Sequence, residues 1–159
     1  MRPLSFKHIL RFEKSKLWLL VVSLSVSCYE VDMTIAVNNK NPPTFELSGS
    51  GNLNEFLVME VPSWNQTQTI QRRSDVNTVV WRIRPSREDK IWYLPPITYG
   101  QVPSGFDQVF PPKEALPPAL VENKVYEVGG SAYGANGGFI WIVVRNGKVV
   151  EIPIPGAHR

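Results

Sequence analysis

From Val31 onward, apolar residues recur at every second position in short bursts separated by glycine, proline and asparagine. That is the period of a strand, whose successive side chains point to opposite faces of a sheet. Val31, Met33, Ile35 and Val37 alternate with Asp32, Thr34 and Ala36 until Asn38 to Pro43 interrupts them, and Phe45 and Leu47 continue the pattern. Ser48 to Asn52 reads as a turn. Glu55 to Val61 and Thr78 to Arg84 follow as strands, ended by Pro62 and Pro85, and then come two shorter runs, Ile91 to Leu94 and Ile97 to Tyr99. Residues 95–118 hold seven of the fourteen prolines. Proline lacks the amide hydrogen that a ladder needs, so this stretch is expected to be an irregular connection, neither helix nor central strand. Lys124 to Val128 resumes the strand pattern, with Gly129-Gly130 and Gly134 to Gly138 reading as a glycine-rich loop. Phe139 to Val144 and Lys148 to Ile152 flank Asn146-Gly147. Asn-Gly between two apolar runs predicts a tight hairpin with a type I′ turn, since both central residues need positive φ.

Seven to nine short strands in about 120 residues, with turn signals between them and no sustained helical period, predict an all-β antiparallel sandwich. Two of the runs are apolar on both faces. Phe139, Trp141 and Val143 oppose Ile140, Ile142 and Val144, and Ile91 and Tyr93 oppose Trp92 and Leu94. A two-sheet sandwich has one core, so such strands turn apolar residues outward unless something covers them. Within the chain the expected cover is 95–118. Otherwise Trp92, Trp141, Ile140 and Ile142 are the candidate ligand or partner surface, because contiguous exposed apolar area marks interaction sites.

The stretch Leu120-Val121-Glu122-Asn123-Lys124-Val125-Tyr126 resembles the Leu-x-Pro-x-Thr-x-Tyr run of fibronectin type III domains. Leu120 and Tyr126 keep the spacing, while Glu122 and Lys124 stand in place of the proline and threonine. The resemblance implies a fibronectin-III or immunoglobulin-like sandwich with a tyrosine corner at Tyr126 and Trp81 as its core tryptophan. Asn146 and Gly147 complete the expected structural set.

The first 27 residues read differently. Arg2, Lys7, Arg11, Lys14 and Lys16 stand against a single Glu13, and Leu17 to Val22 then form an apolar run that ends in Ser23 to Ser27. This is the layout of an export signal. Its apolar stretch, six residues before the first serine and about ten when counted on through Val26, falls short of the ~20 that a membrane-spanning helix needs. Leu24-Ser25-Val26-Ser27-Cys28 resembles the lipobox of bacterial lipoproteins, with Ser25 where the family usually has Leu, Val or Ile. The resemblance implies a signal peptide at 1–27, a mature domain at 28–159, and Cys28 as the acylated N-terminus. Ser25-Val26-Ser27 also fits the small-x-small pattern of ordinary signal cleavage, and an uncleaved anchor is a third outcome.

Removing the leader changes the charge. The whole chain is +3, but the leader takes five basic residues and one acidic, leaving 12 against 13. A nucleic-acid partner is not expected, since phosphate neutralisation needs a standing excess of Lys and Arg. Cys28 is the chain's single cysteine, so no disulfide closes within it and the core must hold the fold.

Catalytic chemistry finds little support. The two histidines are His8, in the leader, and His158, the penultimate residue. Neither is placed to serve as a general base or metal ligand inside a folded domain. Asp75, Glu88, Asp89, Asp107 and Glu114 lie in expected loops with no spacing that argues for a catalytic pair. No catalytic residue, metal ligand or cofactor site is assigned. The expectation is an exported, lipid-anchored cell-envelope protein with a non-enzymatic binding or structural domain, attached to the membrane through Cys28 and facing an envelope protein or glycan. A carbohydrate-binding module is the alternative, on the strength of the aromatic residues, and a small secreted hydrolase is the third class. Tyr29, where Asp would signal inner-membrane retention, points to the outer membrane if the source is Gram-negative.

Overall fold

The computed structural model describes residues 31–61 and 79–153. Cys28 with the whole leader, Trp64, Asp75 and His158 lie outside the described residues. Among the described residues nine strands run in order: β1 (Thr34–Val37), β2 (Thr44–Ser48), β3 (Asn52–Glu60), β4 (Val79–Pro85), β5 (Ile97–Thr98), β6 (Phe106–Phe110), β7 (Val125–Tyr133), β8 (Gly138–Arg145) and β9 (Lys148–Ile152). They form a three-stranded sheet ordered β1-β2-β5 and a six-stranded sheet ordered β6-β4-β3-β7-β8-β9. Every strand pair is antiparallel. The two sheets pack face to face as an all-β sandwich.

Alternation decides which residues meet between them. Phe56 pairs with Ile83 and Val58 with Trp81 across β3 and β4, and all four side chains are fully buried. Tyr126 pairs with Ile142, Val128 with Ile140 and Val144 with Val149, continuing the same inner face. The smaller sheet answers with Ile35, Phe45 and Ile97. Aromatic rings bridge the layers. Phe45 of β2 tilts against Phe56 of β3 at 5.4 Å between centroids, Phe56 meets Trp81 edge to face at 6.1 Å, and Trp81 meets Tyr99 at 5.3 Å. Such contacts contribute about 0.5–1.5 kcal/mol each beyond area burial.

The Tyr126 hydroxyl accepts the Val121 N–H at 2.9 Å, while Leu120 is buried beside it in the core. Glu122 has its own use: its carboxylate accepts the backbone N–H groups of Asn146 and Gly147 and so caps the β8–β9 turn. Those two turn residues have φ of 52° and 69°, the left-handed pair that a type I′ turn requires.

Three segments depart from the sequence expectation. Ile91–Tyr93 is a single 3₁₀ turn, not a strand. Its first amide is taken by the Gly51 carbonyl at 3.1 Å, its last turn closes through Leu94 N–H to Ile91 O at 3.1 Å, and Pro95-Pro96 prevents a ladder beyond. Only Ile91 of the three is buried. The stretch 95–118 carries β5 and β6, each at a sheet edge where proline neighbours are tolerated. It is held by side chains: Gln108 Nε2 donates to the carbonyls of Pro111, Pro112 and Ala115, and Gln108 Oε1 accepts Trp81 Nε1 at 3.4 Å. Third, Gly129 and Gly130 lie inside β7, not in a loop.

Gly138 marks where β1 and β8 approach most closely. A Cβ there would overlap the Met33 carbonyl oxygen, and backbone cannot yield. At Gly130 the obstacle is the terminal methyl of Met33, 2.6 Å from the Cβ position, and a flexible side chain can move aside. Gly138→Ala is therefore expected to destabilise by about 2 kcal/mol or more, with Gly130→Ala below about 1 kcal/mol. Urea midpoints compare them, and equal shifts would contradict the assignment of the contact.

Tyr99 gives a pH-dependent check. It is 5% exposed and its hydroxyl donates to the Pro118 carbonyl at 2.8 Å. Burial, followed by repulsion from Tyr126, pushes its phenol well above the ordinary value. A folded-state pKa above the unfolded one means that the stabilisation is complete below pH ~10 and is lost as pH rises past it. Tyr99→Phe is expected to cost about 1 kcal/mol at pH 8. The gap between variant and parent should then narrow between pH 8 and pH 11 in urea titrations, whereas a constant gap would mean that Tyr99 does not drive alkaline loss.

Candidate binding surface

The six-stranded sheet has a second face, turned away from the core, and strand alternation sends a mixed set of residues to it. β3 contributes Glu55, Leu57 and Met59, β4 contributes Val79 and Arg82, β7 contributes Glu127 and Ser131, and β8 contributes Phe139. Bulges at Leu53/Glu55 and Val58/Met59 adjust which residues of β3 reach it. Together they line a groove of about 590 Å³ that runs down the sheet from the β7–β8 turn, where Asn136 and Gly137 close one end. Its floor is low at Gly129, which carries no side chain and whose Cβ position faces the groove residues Phe139 and Leu57. Leu57, Met59, Val79 and Phe139 make it apolar, and Glu55, Arg82 and Glu127 give it charged margins.

The charges are arranged in pairs. Glu55 Oε2 receives Arg84 Nη2 at 3.1 Å and has Arg82 Nε at 4.0 Å. That second distance is beyond hydrogen bonding, and Arg82 Nε is buried with no hydrogen-bond partner among the described residues. Glu127 Oε2 accepts Trp141 Nε1 at 3.1 Å. Glu55 pairs in register with Ser131 and Glu127 with Met59, four positions away along β3. Four strand residues offset the two backbone positions by about 13 Å, and the side chains turn to different partners, Glu55 to Arg84 and Glu127 to Trp141. Both carboxylates are engaged with neighbours. The other acidic residues singled out from sequence do not converge: Glu88 accepts from Asn52, Asp89 pairs with Arg87 at 3.1 Å, and Asp107 accepts from Ser86 at 2.7 Å. Among the described residues no group of three or more His, Cys, Asp and Glu is arranged to hold a metal ion.

Of the four residues expected at a ligand surface, three are inside. Ile142 is fully buried and Ile140 is 8% exposed, because their parity on β8 turns them into the main core. Trp141 points to the outer face yet is also only 8% exposed. It belongs to a second apolar cluster with Val125 and Val143, against which Val61, Phe139 and Ile152 pack. The cover identified there comes from the ends of β3 and from β7 and β9, not from 95–118. Trp92 alone of the four is open, at 51%. Trp81 is fully buried in β4, and the tyrosine at 126 takes its backbone partner five residues upstream.

The groove itself was missed in the sequence reading. Its signal was present in Glu55 to Met59, where Leu57 and Met59 oppose Phe56 and Val58, a strand apolar on both sides. The same two-sidedness marks 139–144.

The Glu127 contact is testable. Glu127→Ala removes the acceptor of a largely buried indole N–H and is expected to cost about 1–2 kcal/mol, with Glu127→Gln retaining an acceptor and costing less. Urea unfolding followed by tryptophan fluorescence measures both, and equal losses would show that charge, not the hydrogen bond, matters at this position. No family model matches this chain, and no curated protein or solved structure matches it, so the meaning of this surface has to come from its own chemistry.

Proposed function

We propose that this chain is an exported cell-envelope protein, held at a membrane surface through an acylated Cys28, whose sandwich is a non-enzymatic binding or structural module of fibronectin-III or immunoglobulin-like kind. The observation that carries the reading is the basic and then apolar leader ending at the chain's one cysteine, with regular backbone bonding starting as early as Val31, whose carbonyl accepts the Ser50 N–H at 2.9 Å. The fibronectin-like element rests on two supports. One is the Tyr126 hydroxyl bonded to backbone five residues upstream, as at a tyrosine corner. The other is the strand order, β1-β2-β5 against β4-β3-β7-β8, with β6 and β9 as additional edges.

The outer-face groove is the surface through which such a module would engage a partner. Its apolar floor with charged margins suits a ligand that buries some apolar area and hydrogen-bonds at its sides. Glycan binding is the second reading, favoured by the exposed aromatic pair Trp92 and Tyr93, 51% and 79% exposed. Hydrolysis is the weakest of the three, since the chain's histidines are confined to His8 and His158.

The anchor is tested directly. Mass spectrometry of the membrane fraction should find a peptide beginning at Cys28 with added acyl mass, and Cys28→Ala should release the protein from the membrane. A soluble, unmodified chain beginning at Cys28 would replace this reading with ordinary secretion.

A further inference from the structure

We infer that the end of the sandwich carrying Trp92, Tyr93 and Tyr133 rests in the headgroup layer of the membrane that holds Cys28, an inference that depends on the anchor proposed above. The contacts that gather this end are all direct. The Val31 carbonyl accepts both the backbone N–H and the hydroxyl of Ser50, each at 2.9 Å. The next residue, Gly51, accepts the Ile91 N–H at 3.1 Å. Asn52 bridges to Lys90 on one side and pairs with Tyr133 on the other. The start of the described chain and the exposed aromatic residues therefore share one pole.

Covalent reach limits how far that pole can stand from the lipid. Only Tyr29 and Glu30 lie between Cys28 and Val31, and the three residue steps, at about 3.3–3.6 Å each when fully extended, span at most ~11 Å. That is comparable with the depth of one headgroup layer, since hydrocarbon of ~30 Å becomes ~40–45 Å with both interfaces included. A domain tethered this closely meets the interface with whatever it carries at the tethered end. Here it carries Trp92 at 51%, Tyr93 at 79% and Tyr133 at 61% exposure. Tryptophan and tyrosine are the residues enriched at membrane–water boundaries, where an apolar ring and a polar edge are both satisfied. Trp92 and Tyr93 stand edge to face at 5.9 Å, and Lys90 Nζ lies 4.8 Å from the Trp92 ring, an ammonium within reach of lipid phosphate.

The charge around the pole argues against electrostatic attraction as the cause. Arg87 and Lys90 are matched by Asp32, Glu88 and Asp89. Polybasic clusters are what anionic lipids recruit. Contact here is set by the tether and the aromatic rings, and should persist at high salt.

The test uses the full lipidated chain in vesicles of phosphatidylethanolamine and phosphatidylglycerol, with and without acyl-brominated lipid, comparing the parent with Trp92→Phe. Flotation first establishes attachment. Brominated lipid should quench the parent's tryptophan emission, and most of the quenched component should be lost in Trp92→Phe, at 0.1 M and at 0.5 M salt alike. A chain that does not float removes the anchor and this inference with it. One that floats, with equal quenching in parent and variant and Trp92 still open to aqueous acrylamide, overturns this inference alone and leaves the pole to a glycan or protein in the aqueous phase. Because Trp92 is half exposed, the phenylalanine variant should fold, and its unfolding midpoint is the control.

Discussion

The chain of rings from Phe45 through Phe56 and Trp81 to Tyr99 is the contact on which the sandwich depends. Its members come from both sheets, so it is the place where the layers are joined and not merely stacked. With one cysteine there is no covalent staple between the sheets. Large buried aromatic residues supply the cross-sheet area instead, and truncating one such ring typically costs about 3–5 kcal/mol. Each polar end of the chain of rings is also satisfied. Trp81 Nε1 reaches Gln108, whose amide gathers the 111–115 loop, and the Tyr99 hydroxyl reaches Pro118. The proline-rich stretch is in this way hung from the core by two side chains, which is how a segment poor in ladder bonds is fixed along the edges of both sheets.

At one end the sheets are drawn together differently, by absence of side chains. Met33 sits under Gly130 and its backbone lies against Gly138, so β1 crosses the start of β8 at backbone contact. Met33 N–H bonds to the Asn136 carbonyl at 3.1 Å, and Asp32 takes the Asn136 side-chain amide at 2.7 Å. The first described residues are thus woven into the β7–β8 turn and the β2–β3 turn together. Val31, Asp32 and Met33 are in this way each hydrogen-bonded to one of the two turns.

What could be read from sequence was what local chemistry decides. Asn146-Gly147 specified its turn because few other residues accept positive φ twice in succession. The inner-face pattern of β3, β4 and β8 followed from alternation. Ile91 to Leu94 was misread because a four-residue apolar run has no period long enough to separate strand from turn, and the decision lay with a distant carbonyl at Gly51. β6 was missed since Phe106 to Phe110 is poor in β-branched residues and lies among prolines; pairing to β4 and the Gln108 side chain form it, and both are tertiary. Gly129 and Gly130 looked like loop residues, yet they are strand residues whose lack of side chain is needed by Met33 on one face and by the groove on the other. Of the four residues expected at a surface, Ile140, Ile142 and Trp141 lie inside for a related reason, while Trp92 is exposed. A strand apolar on both faces needs a cover on its second face, and at Trp141 packing with Val125, Val143 and neighbouring strand ends contributes to it.

The placement of the groove relative to the tether has a physical consequence. Its upper end is closed by Asn136 and Gly137, in the turn that also bonds Met33, so it begins near the tethered pole and runs away from it toward Met59 and Val79. A domain standing on that pole would hold the groove along its side, with the mouth parallel to the strands and open to the aqueous layer. The Glu122-capped β8–β9 turn would then be the most distant point from the lipid, since β8 runs from Gly138 at the tethered end to Arg145 at the other. A ligand in the groove would lie along the membrane normal, with the paired charges of Glu55, Arg82 and Arg84 nearer the lipid end and Glu127 farther out. Such an arrangement would favour extended partners that approach from above the membrane, with the short tether setting the height of the domain and the aromatic rings of the pole its orientation.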